Sequence, residues 1–241
     1  MSPNPPSSTP PGTLPSASPI RVPGAPTDDA YPVATRNRPS RGRDRATWDR
    51  QVVHAILDAT PVCHLAYVDD DGLPITIPTT FARVGEVVVL HSSSAAHLAR
   101  LAGARGGAVE VCATATIVDG WVLARSGMHH SMNYRCVVVR GPAVVVDDDE
   151  EKRAGLAAIL DAVWEDRSNH CRPPNPRELA ASTVYHLPLE VVSAKIRAEG
   201  AVDDPADADL PFWAGVVPLT TIEGEPISND DLRPGIHLPG A

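Results

Sequence analysis

The sequence predicts a mainly β protein, an antiparallel β-barrel with α-helices in its connections. Between Val62 and Leu90, three strand-like runs are joined by "DDDG" and "RVGE", short turns bearing Gly and Asp, which is the pattern of an antiparallel meander. Further runs at Val109–Val118, Trp121–Ala124 and Tyr134–Val139, with Val184–Leu187 and Glu190–Arg197 together supplying the last strand, bring the total to six or seven strands. Strands in that number close into a barrel or pack as a sandwich. Tight turns early in the chain and helices late favour the barrel.

Each element has a local reason. Trp48, Val52, Val53, Ile56 and Leu57 recur at helical spacing, with Thr47 placed as the cap. Val62–Val68 and Leu73–Phe81 read as strands. Pro74 and Pro78 each remove a ladder donor from the second, so it is expected at an edge or bulged. "SSSAAHLARLAG" reads as a short helix capped by Ser94, with Leu98 and Leu101 inward. "DDDEEKRAGLAAILDAVWEDR" opens with acidic residues that suit a helix N-terminus, and Leu156, Ile159, Leu160, Val163 and Trp164 form its stripe. Pro188 splits the last strand.

The first 45 residues hold 11 of the 25 prolines and no periodic apolar pattern. Such a segment buries too little surface to offset its ordering entropy, so residues 1–45 are expected as a disordered tail. Residues 46–222 form the expected domain and 223–241 a C-terminal tail. Six arginines against three aspartates give the first 45 residues +3, so the chain's −9 leaves −12 for the rest. An acidic body repels polyanions, which argues against nucleic-acid binding. There is no signal-peptide pattern and no apolar run of about 18 residues, so a soluble protein is expected. Cys63, Cys112, Cys136 and Cys171 contain no C-x-x-C pair and read as reduced thiols of a cytoplasmic protein. A zinc site from Cys171, His170 and the His129–His130 pair matches no standard spacing, so no metal site is expected.

Three places carry more polar or small residues than packing requires. One is "PITIPTTF". Another is "HSSSAAH", where hydroxyls gather at a helix start that favours anions, or simply cap it. The third is "HHSMNYR", where Ser131 and Asn133 offer neutral groups and Arg135 a fork of donors at a barrel rim.

In "HSSSAAHLARL", "DGWVLARSGMHHSMNYRCVVVRG" and "SAKIR…FWAGVVPL" the chain resembles the pyridoxamine 5′-phosphate oxidase superfamily, in its flavin-nucleotide-binding branch that includes the nitroimidazole reductases. The match runs from about Ala46 to Leu219. The resemblance implies a Greek-key split β-barrel that forms a homodimer, with FMN at each of two sites between subunits. Pro78, Thr79 and Thr80 would line the isoalloxazine. In the oxidases proper the phosphate loop has a Ser-Arg-Lys core, but here those positions are Ala95, Ala96 and His97. Ser92, Ser94, His97 and Arg100 would then hold the phosphate. Arg135 is retained, with Cys136 in place of the family's glutamine. The pyridoxal-phosphate-binding arginines and histidine have no counterpart, which argues against pyridoxamine phosphate as substrate. Ser131, Asn133 and Arg135 would face the flavin across the dimer, and Trp213 would either close the site or anchor the tail.

The function implied is an FMN-dependent oxidoreductase acting on a small nitroaromatic or similar molecule, with His91 near the reacting edge. A strand-end histidine bonded to backbone is the competing role for His91. Two other readings stand beside it: a flavin carrier or sensor without catalysis, and a split barrel holding deazaflavin or haem in place of FMN.

Overall fold

A computed structural model describes residues 29–239. Ten strands and four α-helices follow in order: β1 (Ala46–Thr47), α1 (Arg50–Asp58), β2 (Val62–Val68), β3 (Pro74–Thr80), β4 (Ala82–Val84), β5 (Val87–Ser93), α2 (His97–Ala104), β6 (Ala108–Leu123), β7 (Ser131–Val145), α3 (Asp149–Val163), α4 (Pro176–Ala180), β8 (Ser182–Pro188), β9 (Val191–Arg197) and β10 (Gly215–Pro218). Every strand pairing is antiparallel. The expected mainly β split barrel is the fold observed.

The hydrogen-bonded path runs β3–β2–β6–β7–β8–β5–β4, while β9 bridges β7 and β1 and β10 extends β6. As its two prolines require, β3 is an edge strand, paired only with β2. At the open seam β3 and β5 approach one another, and α3 lies across β4, β5 and β8. The interior is filled from all sides by Leu65, Phe81, Leu90, Val137, Tyr185 and Val192, with Val53, Ile56 and Leu57 of α1 and Leu98 and Leu101 of α2 packed in. Gly155 lets α3 sit close to the sheet, since a Cβ there would lie 3.0 Å from Val184 Cγ1 and 3.1 Å from Val89 Cγ1. Among the described residues no helix is long and apolar enough to cross a membrane.

Several expectations need correction. Of the expected tail, residues 1–28 lie outside the described residues, but 29–45 pack on the barrel. Tyr31 is 3% exposed, stacks under the Arg50 guanidinium at 4.2 Å, donates its hydroxyl proton to Glu86 at 2.7 Å and lies 2.8 Å from His54 Nε2. Asn37, also buried, donates to the Pro32 and Val192 carbonyls and accepts from the Ala34 N–H. Backbone bonds from the Tyr31 N–H to the Trp48 carbonyl and from the Arg50 N–H to the Asp29 carbonyl add to these, although the strap has the composition of a linker. The cap of α1 is Asp49, which accepts from the Val52 N–H at 3.0 Å, and Thr47 is buried in β1. The capping position of α2 is Ala96, with no side-chain cap; Ser94 lies before it. Val109–Val118 and Trp121–Ala124 join in one long strand, because Asp119 is accommodated as a bulge between Val118 and Gly120.

Candidate functional site

The seam brings two expected site residues together. Thr80 at the end of β3 and His91 on β5 line a cleft of about 690 Å³ whose other wall is α3 and the segment after it. Half of the α3 stripe faces this cleft and not the core: Ile159 is buried, whereas Leu160 and Val163 are 39% and 51% exposed. With Leu156 and Trp164 they make an apolar wall. Arg167 and the Arg172–Glu178 ion pair, 2.7 Å apart, complete the rim. Arg172 holds the Glu178 carboxyl down at about 2, whereas Arg167 has no carboxylate partner among the described residues.

His91 is half-buried, and burial lowers its pKa, so the neutral imidazole is favoured. Its Nδ1 is buried with no hydrogen-bond partner among the described residues, so the backbone-bonded role finds no bond at that atom. An unpartnered buried polar atom costs stability unless something else satisfies it. Neutral imidazole in an apolar cleft can accept a proton, accept a hydrogen bond or ligate a metal.

The remaining expected residues fall into three groups. Pro78 and Thr79 lie on the exposed edge strand β3, with Thr79 Oγ1 donating to the Thr80 carbonyl at 3.3 Å. In the loop before α2, Ser92 Oγ lies 2.8 Å from the Tyr185 hydroxyl, and Ser94 N–H donates to the Ala181 carbonyl. Arg100 reaches back to the Ala95 carbonyl, and the His97 ring lies 6.1 Å from that of Tyr67. Because Ala96 supplies no cap, the first-turn N–H groups of α2 have no intrahelical or side-chain partner.

The third group differs from expectation. Asn133 is buried, and its Oδ1 accepts from the Arg197 guanidinium and from the Glu199 N–H at 3.1 Å. Arg135 forks onto Asp119 at the β6 bulge, with Nη2–Oδ1 at 2.6 Å and Nε–Oδ2 at 2.9 Å. Both side chains expected to face a cofactor are therefore engaged within their own chain. Ser131 lies exposed at the end of the β6–β7 hairpin. Trp213 is 63% exposed beside Gly215, so it does not anchor the tail by burial.

Sequence reasoning missed Arg197, Asp119 and Asp203. Arg197 is 5% exposed and also donates to the Glu199 and Gly200 carbonyls. Asp203 accepts from the Arg125 and Ser126 N–H groups and pairs with the Arg125 guanidinium. The "DG" inside an otherwise β-branched run was the available signal for the bulge; nothing local marks Arg197. The zinc residues considered from sequence do not converge. His170 pairs with Asp166, Cys171 Sγ contacts the Ser168 carbonyl, and His129 instead neighbours Asp204 and Asp207.

Comparison with known proteins gives a consistent result. The family model described as pyridoxamine 5′-phosphate oxidase matches residues 49–196. The flavocytochrome Anf3 of Azotobacter vinelandii is 31% identical, with a TM-score of 0.79 over 86% of this chain and 94% of that one. An FAD- and haem-binding protein of Mycobacterium smegmatis is also 31% identical, with a TM-score of 0.75 over 81% and 94%. A candidate 5-nitroimidazole antibiotic resistance protein of Bacteroides thetaiotaomicron, 20% identical with a TM-score of 0.52 over 63% and 86%, shares the fold. Comparison with curated protein sequences finds no match.

Proposed function

The chain belongs to the pyridoxamine 5′-phosphate oxidase family, and on that premise we propose that it is a redox protein which binds a flavin nucleotide and, in the cleft under α3, a haem. The observation that carries the haem is His91: a histidine kept neutral by burial, with an orphaned ring nitrogen, in an apolar cleft of about 690 Å³. Neutral imidazole is the ligating form, and the cleft volume lies in the ordinary range for a bound cofactor. The names of the two relatives at 31% identity, a flavocytochrome and an FAD- and haem-binding protein, support the same pair of cofactors. They favour haem beside the flavin over the haem-for-FMN alternative.

In this reading His91 supplies an iron ligand, the α3 wall excludes water, and Arg167 at the rim offers a cation to a carboxylate. Along the edge strand β3, Pro78, Thr79 and Thr80 would support a flavin ring, while Ser94, His97 and the first-turn N–H groups of α2 would receive its phosphate. A flavin exchanges electrons singly or in pairs and a haem iron singly, so the two groups, when bound, would link two-electron donors with one-electron carriers. The protein's part is to hold each group in place and set its surroundings. FMN and its dinucleotide are told apart by releasing the flavin and weighing it.

A second copy of the chain belongs to the proposal. Trp121, Met128, Met132, Phe212 and Trp213, all between 38% and 88% exposed, lie on the β6–β7 hairpin, its end and the segment entering β10. An exposed apolar patch of this kind marks an interaction surface. The test of the cofactor reading is the absorption spectrum of the protein as purified, beside His91→Ala. A flavin band with a Soret band is expected in the parent, and the flavin band alone in the variant. A Soret band unchanged in His91→Ala would refute the cleft as the haem site.

A further inference from the structure

Away from the seam, the strap of residues 36–39 crosses the outer face of β7 and β9 and encloses a groove of about 180 Å³. Four cations line it: Arg36, Arg38, Arg140 and Lys195. No carboxylate lines it, and among the described residues none of the four makes an ion pair. Elsewhere the arginines at 45, 50, 83, 105, 125, 135, 172 and 197 have carboxylate partners, whereas those at 41, 43, 100, 153, 167, 177 and 233 have none among the described residues, so what sets the groove apart is four such cations on one lining. In a chain of net charge −9, four uncompensated cations in one small groove are a departure that local repulsion disfavours.

The groove is also built. Asn37 is 6% exposed and fixes the strap through bonds to the Pro32 and Val192 carbonyls and the Ala34 N–H. Arg140 Nη1 donates to the Arg36 carbonyl at 3.1 Å, and Lys195 Nζ donates to the Arg41 carbonyl at 3.1 Å. Each of those two cations thus spends one donor on the strap and keeps the rest, out of five for a guanidinium and three for an ammonium.

We propose that this groove is an anion site for a small, multiply charged phosphate: pyrophosphate, or the phosphorylated end of a larger molecule. Its volume equals roughly six waters at about 30 Å³ each, too little for a flavin or a haem. Guanidinium forks match phosphate oxygens, and a carboxylate would offset only one of the four charges. Occupation would tie the strap to β7 and β9, because Arg36 and Arg38 stand on one side of the anion and Arg140 and Lys195 on the other. The proposal is independent of the cofactor reading: the groove lies on β7 and β9, and the flavin residues lie on β3 and the α2 loop.

The experiment titrates pyrophosphate into the full-length protein as purified, by calorimetry at fixed ionic strength, and follows trypsin cleavage after Arg36. Saturable binding and slowed cleavage are expected. Arg140→Gln/Lys195→Gln should weaken binding at least about tenfold, the loss expected for charge-assisted bonds. Arg38→Gln, which touches an exposed side chain and cannot unfold the barrel, should weaken it in the same direction. Arg177→Gln/Arg233→Gln removes two charges elsewhere and should leave binding unchanged. Equal weakening by that control pair would reduce the effect to net charge and overturn the site, as would unaltered binding to the groove variants. If pyrophosphate displaces a phosphorylated flavin but not riboflavin, and the groove variants bind it as the parent does, it sits at the α2 loop. The groove site then fails, while the flavin reading survives.

Discussion

Replacing Asn133 with Leu separates two roles for the polar start of β7. In the structure the Asn133 carboxamide oxygen is the shared acceptor for the buried Arg197 guanidinium and the Glu199 N–H. Leucine has a similar volume, so no space opens for a rescuing water, and both donors lose this acceptor. A bond to a charged donor contributes about 1.5–3 kcal/mol and a neutral one about 0.5–1.5. Arg197 keeps the Glu199 and Gly200 carbonyls, which moderates the loss. The expected destabilisation is therefore about 2–4 kcal/mol, or a drop in Tm of roughly 4–16 °C for a chain of this size. Urea unfolding followed by circular dichroism measures it, and flavin and haem content per folded molecule should match the parent. A fold of parental stability that has lost flavin would show that Asn133 meets the cofactor, and the reasoning from the Arg197 network would fail.

Three further outcomes are expected. Tyr31→Ala should cost about 3–5 kcal/mol, the range for deleting a buried aromatic side chain, whereas Tyr31→Phe should lose only the bonds to Glu86 and His54; equal stability of parent and Tyr31→Ala in urea would return residues 29–45 to the status of a linker. For His91 the folded pKa lies below the unfolded one, so the unfolded chain binds the extra proton first as pH falls; stability is full above the ordinary imidazole range and declines on acidification through and below it. In cofactor-free protein that decline should be shallower in His91→Gln, and parallel pH profiles would show that the ring is not held neutral. Light scattering at micromolar concentration should find a dimer, and Trp213→Ser/Trp121→Ser should shift it toward monomer; a monomeric parent that retains both cofactors would remove the second copy from the proposal.

The barrel was legible in the sequence wherever a local rule decided the outcome. Strand β3 is an edge because Pro74 and Pro78 cannot donate to two neighbours, and that inference needs only their positions. The α1 stripe likewise follows from helical spacing. Where an outcome depended on contacts far apart in sequence, the reading failed. Residues 29–45 look like a linker because their composition averages over two residues that decide the matter. Tyr31 meets His54 and Glu86, and Asn37 meets the backbone of Val192, across 155 positions.

The candidate site divides along the same line. Thr80 and His91, both named from the family pattern, stand together because the seam closes β3 against β5. What sequence could not give was the wall opposite them. Leu160 and Val163 belong to a periodic stripe whose bland interpretation is core, and nothing in that period separates a stripe that fills a core from one that lines a cleft. Arg135 and Asn133 show the converse error. Their hydrogen-bonding groups were visible in "HHSMNYR", but the partners that use them, Asp119 accepting from Arg135 at a bulge and Arg197 donating to Asn133 from the next strand of the sheet, become neighbours only through the pairing of β7 with β6 and β9. A polar residue on a strand therefore signals a ligand only after its cross-strand partners have been counted. By that count His91 Nδ1 is left without a partner and Asn133 is not. The proposed haem site accordingly rests on the cleft at the seam, whereas the start of β7 is bound into the barrel itself.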